Sequence, residues 1–212
     1  MADLEFFFDA VCPWAWVTSR WVKEVQHQRE YDVAWRFISL KMINEHRNEE
    51  WYTPEYRAGH MAGLYVHRVA DQVRADLGNV AVGDLYTAVG AAFHLQKRRS
   101  EINKDPVGFM CAMLALAGLP ATLGEEALNP SHDDAVRAET DLAFSRTGEG
   151  VGTPIITFKP GQSDEGSFFG PVIASAPRGA AALKLWDAIE YIATTGGMAE
   201  LKRSNRAKLS FD

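Results

Sequence analysis

Cysteine is scarce in this chain, with two in 212 residues. That scarcity excludes a small secreted scaffold stapled by disulfides. Long apolar runs are also missing. No window reaches the roughly 18 apolar residues that a membrane-spanning helix needs, and the longest candidate, 109–119, reads as a buried helix. Positive charge is in deficit: 22 Lys and Arg against 28 Asp and Glu leave a formal net charge of −6. Such an acidic chain is a poor binder of nucleic acid or anionic membrane. No signal peptide is expected, because Met1-Ala2-Asp3-Leu4-Glu5 is acidic and the run Phe6-Phe7-Phe8 stops at Asp9. The expected compartment is the cytosol, where thiols stay reduced. No Cys or His set has zinc spacing. The glycines of 148–152 lack the lysine and helix of a phosphate loop. No Gly-x-Ser-x-Gly elbow is present, and no internal repeat or low-complexity segment appears.

What is there is an ordinary globular composition, 47% hydrophobic and 24% charged. The length suits one domain, or one domain with a large insertion, and buries roughly 70% of its extended-chain surface. Leu4 to Phe8 reads as a buried strand. Trp14, Val17, Trp21, Val22 and Val25 recur at helix spacing, with Pro13 in the first turn where proline is tolerated. Val33 to Leu40 reads as a second strand, parallel to the first because a helix separates them. From Thr53 to Thr147 no strand is expected. Helices are expected from Thr53-Pro54 to Leu77, over 82–97, from Asp105-Pro106 to Gly118, and from a capping-box-like Ser131 and Asp134 to Gly148. Strands return at 154–158 and 166–170, and a last helix runs over 178–195 before a basic tail with Lys202, Arg203, Arg206 and Lys208. The order is β-α-β, a helical block, then β-β-α. Three segments follow: 1–50, an inserted helical lid at 51–148, and 149–212.

The chemistry-bearing segment is Phe8-Asp9-Ala10-Val11-Cys12-Pro13-Trp14-Ala15-Trp16. It puts a cysteine between a strand end and a helix start. A helix N-terminus offers unpaired N–H groups and partial positive charge. Cysteines so placed have pKa values of roughly 3.5–7.5 instead of about 8.5, so Cys12 is expected to be thiolate at neutral pH. Asp9 works against this, although it could also relay a proton. The plainer alternative is a packed apolar cysteine. A second element, Gly150-Val151-Gly152-Thr153-Pro154, opens the third strand with a Thr-Pro pair. Only about 5–6% of X–Pro bonds are cis, so alone it reads as a turn; with a Cys-Pro helix start in this frame it carries more weight.

On Cys12-Pro13-Trp14, the helical block, Val151-Gly152-Thr153-Pro154 and the closing β-β-α, the chain resembles the DsbA-like thiol oxidoreductases. These have a thioredoxin-like α/β fold with an inserted α-helical subdomain, and the resemblance spans nearly the whole length. Phe6-Phe7-Phe8-Asp9 and Trp16 with Ser19-Arg20-Trp21 make it most similar to the actinobacterial, mycothiol-dependent branch. That resemblance implies a cytosolic enzyme, often a homodimer. It implies no tightly bound cofactor and a low-molecular-weight thiol, mycothiol or glutathione, as co-substrate. Its partners would be that thiol and a small disulfide or electrophile, with no nucleic acid and no membrane. Cys12 would be the nucleophile, with Thr153-Pro154 as a cis-proline loop holding substrate by backbone contacts and Trp14 shaping the pocket. Asn44, after the second strand, and His94, on the insertion, resemble site-facing positions. His46 reads as a surface residue, and Tyr56, Tyr65 and His67 are weaker candidates.

One departure stands out. The family motif is Cys-Pro-Trp-Cys, and here Ala15 occupies the resolving position. A dithiol cycle needs the second thiol to release the mixed disulfide. The chain is then either a monothiol member or a form whose resolving cysteine was replaced, and in both an outside thiol must release Cys12. Cys111, in an apolar helix, is expected to be a buried core cysteine. Two other functions stay open: a kappa-class-like transferase or isomerase, against which the cysteine at position 12 argues because that class carries serine there, and a non-catalytic thiol-binding redox sensor.

Overall fold

Four apolar side chains and one glutamate make up β1, Leu4–Phe8, and all five are buried. The computed structural model describes residues 2–211. In chain order, β1 leads to α1 (Pro13–Gln26), β2 (Val33–Phe37), α2 (Leu40–Ile43), α3 (Pro54–Leu77) and α4 (Asn79–Gly90). Next come a π-helical turn (Ala91–Leu95), α5 (Arg99–Ile102), α6 (Pro106–Leu116) and two 3₁₀ segments, Ala121–Leu128 and Pro130–His132. The chain finishes with α7 (Asp133–Thr147), β3 (Ile155–Phe158), β4 (Gly166–Phe169) and α8 (Gly179–Thr195). Two compact units result. One holds the chain up to Phe8, Cys12–Arg36 and the chain from Ala143 onward; the other holds Asp9–Val11 and Phe37–Leu142.

The first unit is built on a four-stranded sheet ordered β2-β1-β3-β4. β1 and β3 run antiparallel with Phe6 opposite Ile156, and β3 and β4 run antiparallel with Ile156 opposite Phe168. One sheet face is aromatic. The Phe6 and Phe8 rings meet Trp35 edge-on at 5.3 and 6.2 Å. The Trp186 ring lies 4.8 Å from Tyr31, 5.2 Å from Trp21 and 5.3 Å from Phe158. Such pairs add about 0.5–1.5 kcal/mol each beyond the area they bury. Two of the buried indoles find these acceptors: Trp21 Nε1 donates to the Ala182 carbonyl at 2.9 Å, and Trp186 Nε1 to Glu190 at 3.1 Å. The other face carries Glu5, only 4% exposed, which accepts from Arg36 at 2.6 Å and from Arg146. At Gly166 a Cβ would lie 2.0 Å from the Ala193 carbonyl oxygen, so only glycine lets β4 start against the end of α8.

The second unit is helical. α3 packs against α2, α4 and the first 3₁₀ segment. Arg68 of α3 grips Asp133 through two N–H donors, at 2.7 and 2.8 Å, and donates to Ala127 O at 3.3 Å. His132, 8% exposed, bridges Asp71 at 2.9 Å and Glu126 at 3.0 Å. Arg74 pairs with Asp71 and Glu139, each at 2.7 Å, and lies over the Phe37 ring.

Several boundaries differ from the sequence expectation, each for a local reason. β2 stops at Phe37 because the Ser39 hydroxyl caps α2 at Met42 N, while Ser39 N donates to Thr140. The helix expected over 82–97 begins at Asn79 and gives way to the π turn. Ser131 is no cap: Asn129 accepts from its amide, and a 3₁₀ turn runs straight into α7. No helix among the described residues is long and apolar enough to cross a membrane.

Candidate functional site

Proline decides the start of α1. Pro13 disfavours helical backbone in the residue before it, so Cys12 is extended (φ −79°, ψ 113°) and serves as N-cap, with Pro13 at the first helical position. The first intrahelical bond is Trp16 N to Cys12 O at 3.1 Å. The amides of Trp14 and Ala15 therefore have no acceptor within the helix, and their partial positive charge lies beside the cysteine.

The sulfur is fixed from the far end of the sequence. Cys12 Sγ lies 3.4 Å from the Thr153 carbonyl oxygen and is placed to donate to it. The Thr153–Pro154 peptide is cis. The Thr153 hydroxyl donates to Phe7 O at 3.2 Å, and the Pro154 carbonyl accepts from Gly170 N at 2.8 Å. The loop is thus tied to β1 on one side and to the residue after β4 on the other. A second cis bond, Gly170–Pro171, follows, and the Thr18 hydroxyl of α1 donates to Pro171 O at 2.8 Å. Cys12 is 8% exposed. Trp14 is half-buried, while Ala15 is fully buried. The structure therefore brings together Cys12, Pro13, Trp14, Ala15, Thr153 and Pro154 in one unit.

Asn44 and His94 lie in the other unit. Asn44 is buried, and its side-chain amide donates to Leu40 O at 2.8 Å, closing α2. His94 sits on the π turn, a helical irregularity frequent at functional sites, with Nε2 2.9 Å from Ala10 O. Burial pushes its pKa down to about 4, against the opposing pull of the Ala10 hydrogen bond. Ala10 belongs to Asp9–Val11, which leads directly into Cys12. In that segment Asp9 is fully buried and accepts from Val11 N at 3.0 Å and Leu40 N at 2.8 Å. A Cβ at Gly63 would lie 2.3 Å from Asp9 Oδ1, so α3 approaches this carboxylate as closely as glycine allows.

Of the weaker candidates, His46 is exposed beside Glu45, and His67 is fully buried and stacked on Phe37. Cys111 corrects an expectation. It is half-buried, not a sealed core residue, because α6, though apolar all round, leaves Ala112, Ala115 and Leu116 exposed. Its sulfur abuts Gly124 of the 3₁₀ segment. Neither cysteine is in a disulfide. One contact has almost no signature in the sequence: the Arg206 guanidinium of the tail lies over the Trp14 ring, 5.2 Å from its centroid. The basic run 202–208 is its only signal.

An extended cysteine at a helix N-cap, facing the carbonyl before a cis proline, on a β-α-β…β-β-α sheet with a helical insertion, defines a DsbA-like protein of the thioredoxin fold. The sequence model of the Rv2466c-like family, described as mycothiol-dependent nitroreductase Rv2466c, matches residues 11–203, and the chain belongs to that family. It is 30% identical over 207 residues to the uncharacterized protein Rv2286c of Mycobacterium tuberculosis, covering 96% of this chain and 82% of that one. Among the solved structures that share the fold are the following two. A probable DsbA oxidoreductase from Streptomyces coelicolor superposes with TM-score 0.61 at 17% identity, covering 96% of this chain and 94% of that one. The cytosolic disulfide reductase DsbM from Pseudomonas aeruginosa, solved with GSH, gives TM-score 0.53 at 15% identity over 78% of this chain and 88% of that one.

Proposed function

We propose that the chain is a cytosolic thiol-disulfide oxidoreductase in which Cys12 is the nucleophile and a low-molecular-weight thiol, mycothiol or a relative of it, is the reductant. The 3.4 Å approach of Cys12 Sγ to Thr153 O carries this proposal, because it puts the sulfur at the helix N-terminus and at the cis-proline loop together. The Trp14 and Ala15 amides stabilise the thiolate. That thiolate attacks one sulfur of a disulfide, forming a new S–S bond while the old one breaks and the leaving thiolate takes a proton from water. Backbone groups beside Thr153-Pro154 hold the substrate in an extended, strand-like contact. Ala15 has no thiol with which to displace the adduct. A low-molecular-weight thiolate therefore attacks the mixed disulfide, and Cys12 departs as thiolate.

The family description favours a second electron acceptor. A nitro group would be reduced to nitroso with loss of water, while Cys12 and one small thiol give up two hydrogens and join as a mixed disulfide. In both versions Cys12 passes through a mixed disulfide, with one half of the substrate in the first and with the small thiol in the second.

The test is intact mass after incubation with glutathione disulfide or mycothiol disulfide. One adduct on Cys12, absent in Cys12→Ser and reversed by excess thiol, supports the proposal. An unmodified Cys12 overturns it.

A further inference from the structure

The tail after α8 belongs to the same unit as Cys12. Its far end is anchored where the Ser210 amide donates to Ala174 O at 2.7 Å. Between the two ends it carries Arg206 across the Trp14 ring. Trp14 is two residues beyond Cys12 and half-buried, whereas Arg206 is exposed. The tail's recorded ion pair joins Lys202 to Glu200 at 3.7 Å. Arg206 takes part in no ion pair among the described residues. Stacking on an aromatic face uses the flat side of a guanidinium and leaves its in-plane N–H donors open. Those donors match a carboxylate in two-point geometry. Arg206 therefore presents an unneutralised fork beside the nucleophile's helix start, in a chain whose net charge is −6.

We infer that Arg206 is a specificity-determining residue that selects small disulfides bearing a carboxylate for attack by Cys12, which rests on the thiol-disulfide chemistry proposed above. The Cys12 thiolate bonds to the nearer sulfur of the disulfide. The S–S bond breaks, and the anionic thiolate leaves with the electron pair and is protonated by water. Cys12 is oxidised to the mixed disulfide and the departing half is reduced. Arg206 holds the carboxylate during the attack and takes no proton.

The experiment compares rates of Cys12 adduct formation with dithiodiglycolate, 2-hydroxyethyl disulfide and cystamine, which are anionic, neutral and cationic at similar size. Rates are divided by those of a free model thiol. At low salt the anionic-to-cationic ratio should exceed one in the native chain and fall about fivefold in Arg206→Gln, as loss of one nearby unit charge predicts. Arg206→Lys should restore part of it, and Lys202→Gln should leave it in place. High salt should erase the preference. An unchanged ratio in Arg206→Gln, or an equal fall in Lys202→Gln, overturns the assignment to Arg206 while leaving the nucleophile standing. No adduct from any of the three disulfides overturns both proposals.

Discussion

Cys12 Sγ and the carbonyl oxygen of Thr153 meet at 3.4 Å across 141 residues of sequence. The contact places a thiol, a helix N-terminus and a backbone carbonyl at one point. Ala15, in the first turn of α1, is fully covered.

Introducing a thiol there should change the proposed cycle. Ala15→Cys is expected to expel a glutathione adduct from Cys12 without added thiol, leaving a bridge between Cys12 and the introduced thiol. The added sulfur atom in a packed position costs about 1 kcal/mol in the reduced form. Mass spectrometry of the purified adduct over time checks the first point, and urea unfolding the second. An adduct as long-lived as in the native chain would show that position 15 does not face the site.

Glu5 is the buried anion between Arg36 and Arg146 on the second sheet face. Glu5→Gln leaves two arginines without their shared partner. The arginines keep partial solvent access, which trims the full cost of breaking a buried pair, so a loss of roughly 2 kcal/mol is expected. Denaturant unfolding would measure it, and a change under about 0.5 kcal/mol would mean that the pairing is energetically idle.

His132 makes stability depend on pH. Burial pulls its pKa down, but hydrogen bonds to Asp71 and Glu126 outweigh that and leave it raised. A raised folded-state pKa means that stabilisation is complete below the unfolded value of about 6.5 and fades as pH climbs through the folded value. Around the bridge, Arg74 pairs with Asp71 and Glu139, and Arg68 pairs with Asp133. The stability advantage of the native chain over His132→Gln should therefore shrink as pH climbs above about 6.5 in thermal unfolding. An advantage that stays constant would place the proton elsewhere.

His94 has the opposite sign. Burial, first, holds its pKa down to about 4, with Arg99 adding to the effect and the Ala10 hydrogen bond opposing it. The unfolded chain takes up a proton near pH 6.5 and the folded one only near 4, so stability falls as pH drops between those values. The loss approaches about 3 kcal/mol at the acid end. His94→Gln should flatten that part of the profile. An imidazole NMR titration of the native chain should show His94 neutral at about pH 5.5, and a midpoint above about 6 would contradict its buried tie to Ala10.

Much of the fold is written in local pattern. The aromatic run before Asp9, the Pro13 helix start, Thr53-Pro54 and Asp105-Pro106 all act through backbone sterics and capping between neighbours in sequence. Thr53 and Asp105 do cap their helices, at Tyr56 N and Gly108 N. Other elements lack such signals. The 3₁₀ segment at 121–128 is only eight residues long and packs against α6 and α3. The π turn at 91–95 adds one residue to a helix whose composition does not change. Cys111 has the apolar neighbours of a core residue, yet burial depends on what packs outside the helix.

Residue type and spacing alone settled that a cysteine would cap a helix after a buried strand, since Pro13 and the run before Asp9 leave the backbone little choice. Which groups would surround that sulfur was a matter of long-range packing. The Thr153 carbonyl reaches Cys12 only because β3 pairs with β1, and Arg206 reaches Trp14 only because Ser210 ties the tail back to Ala174. Local sequence marks these encounters only by the Thr153-Pro154 pair and the basic run 202–208, because contacts closed across such long loops are chosen by the whole sheet and core and not by neighbours along the chain.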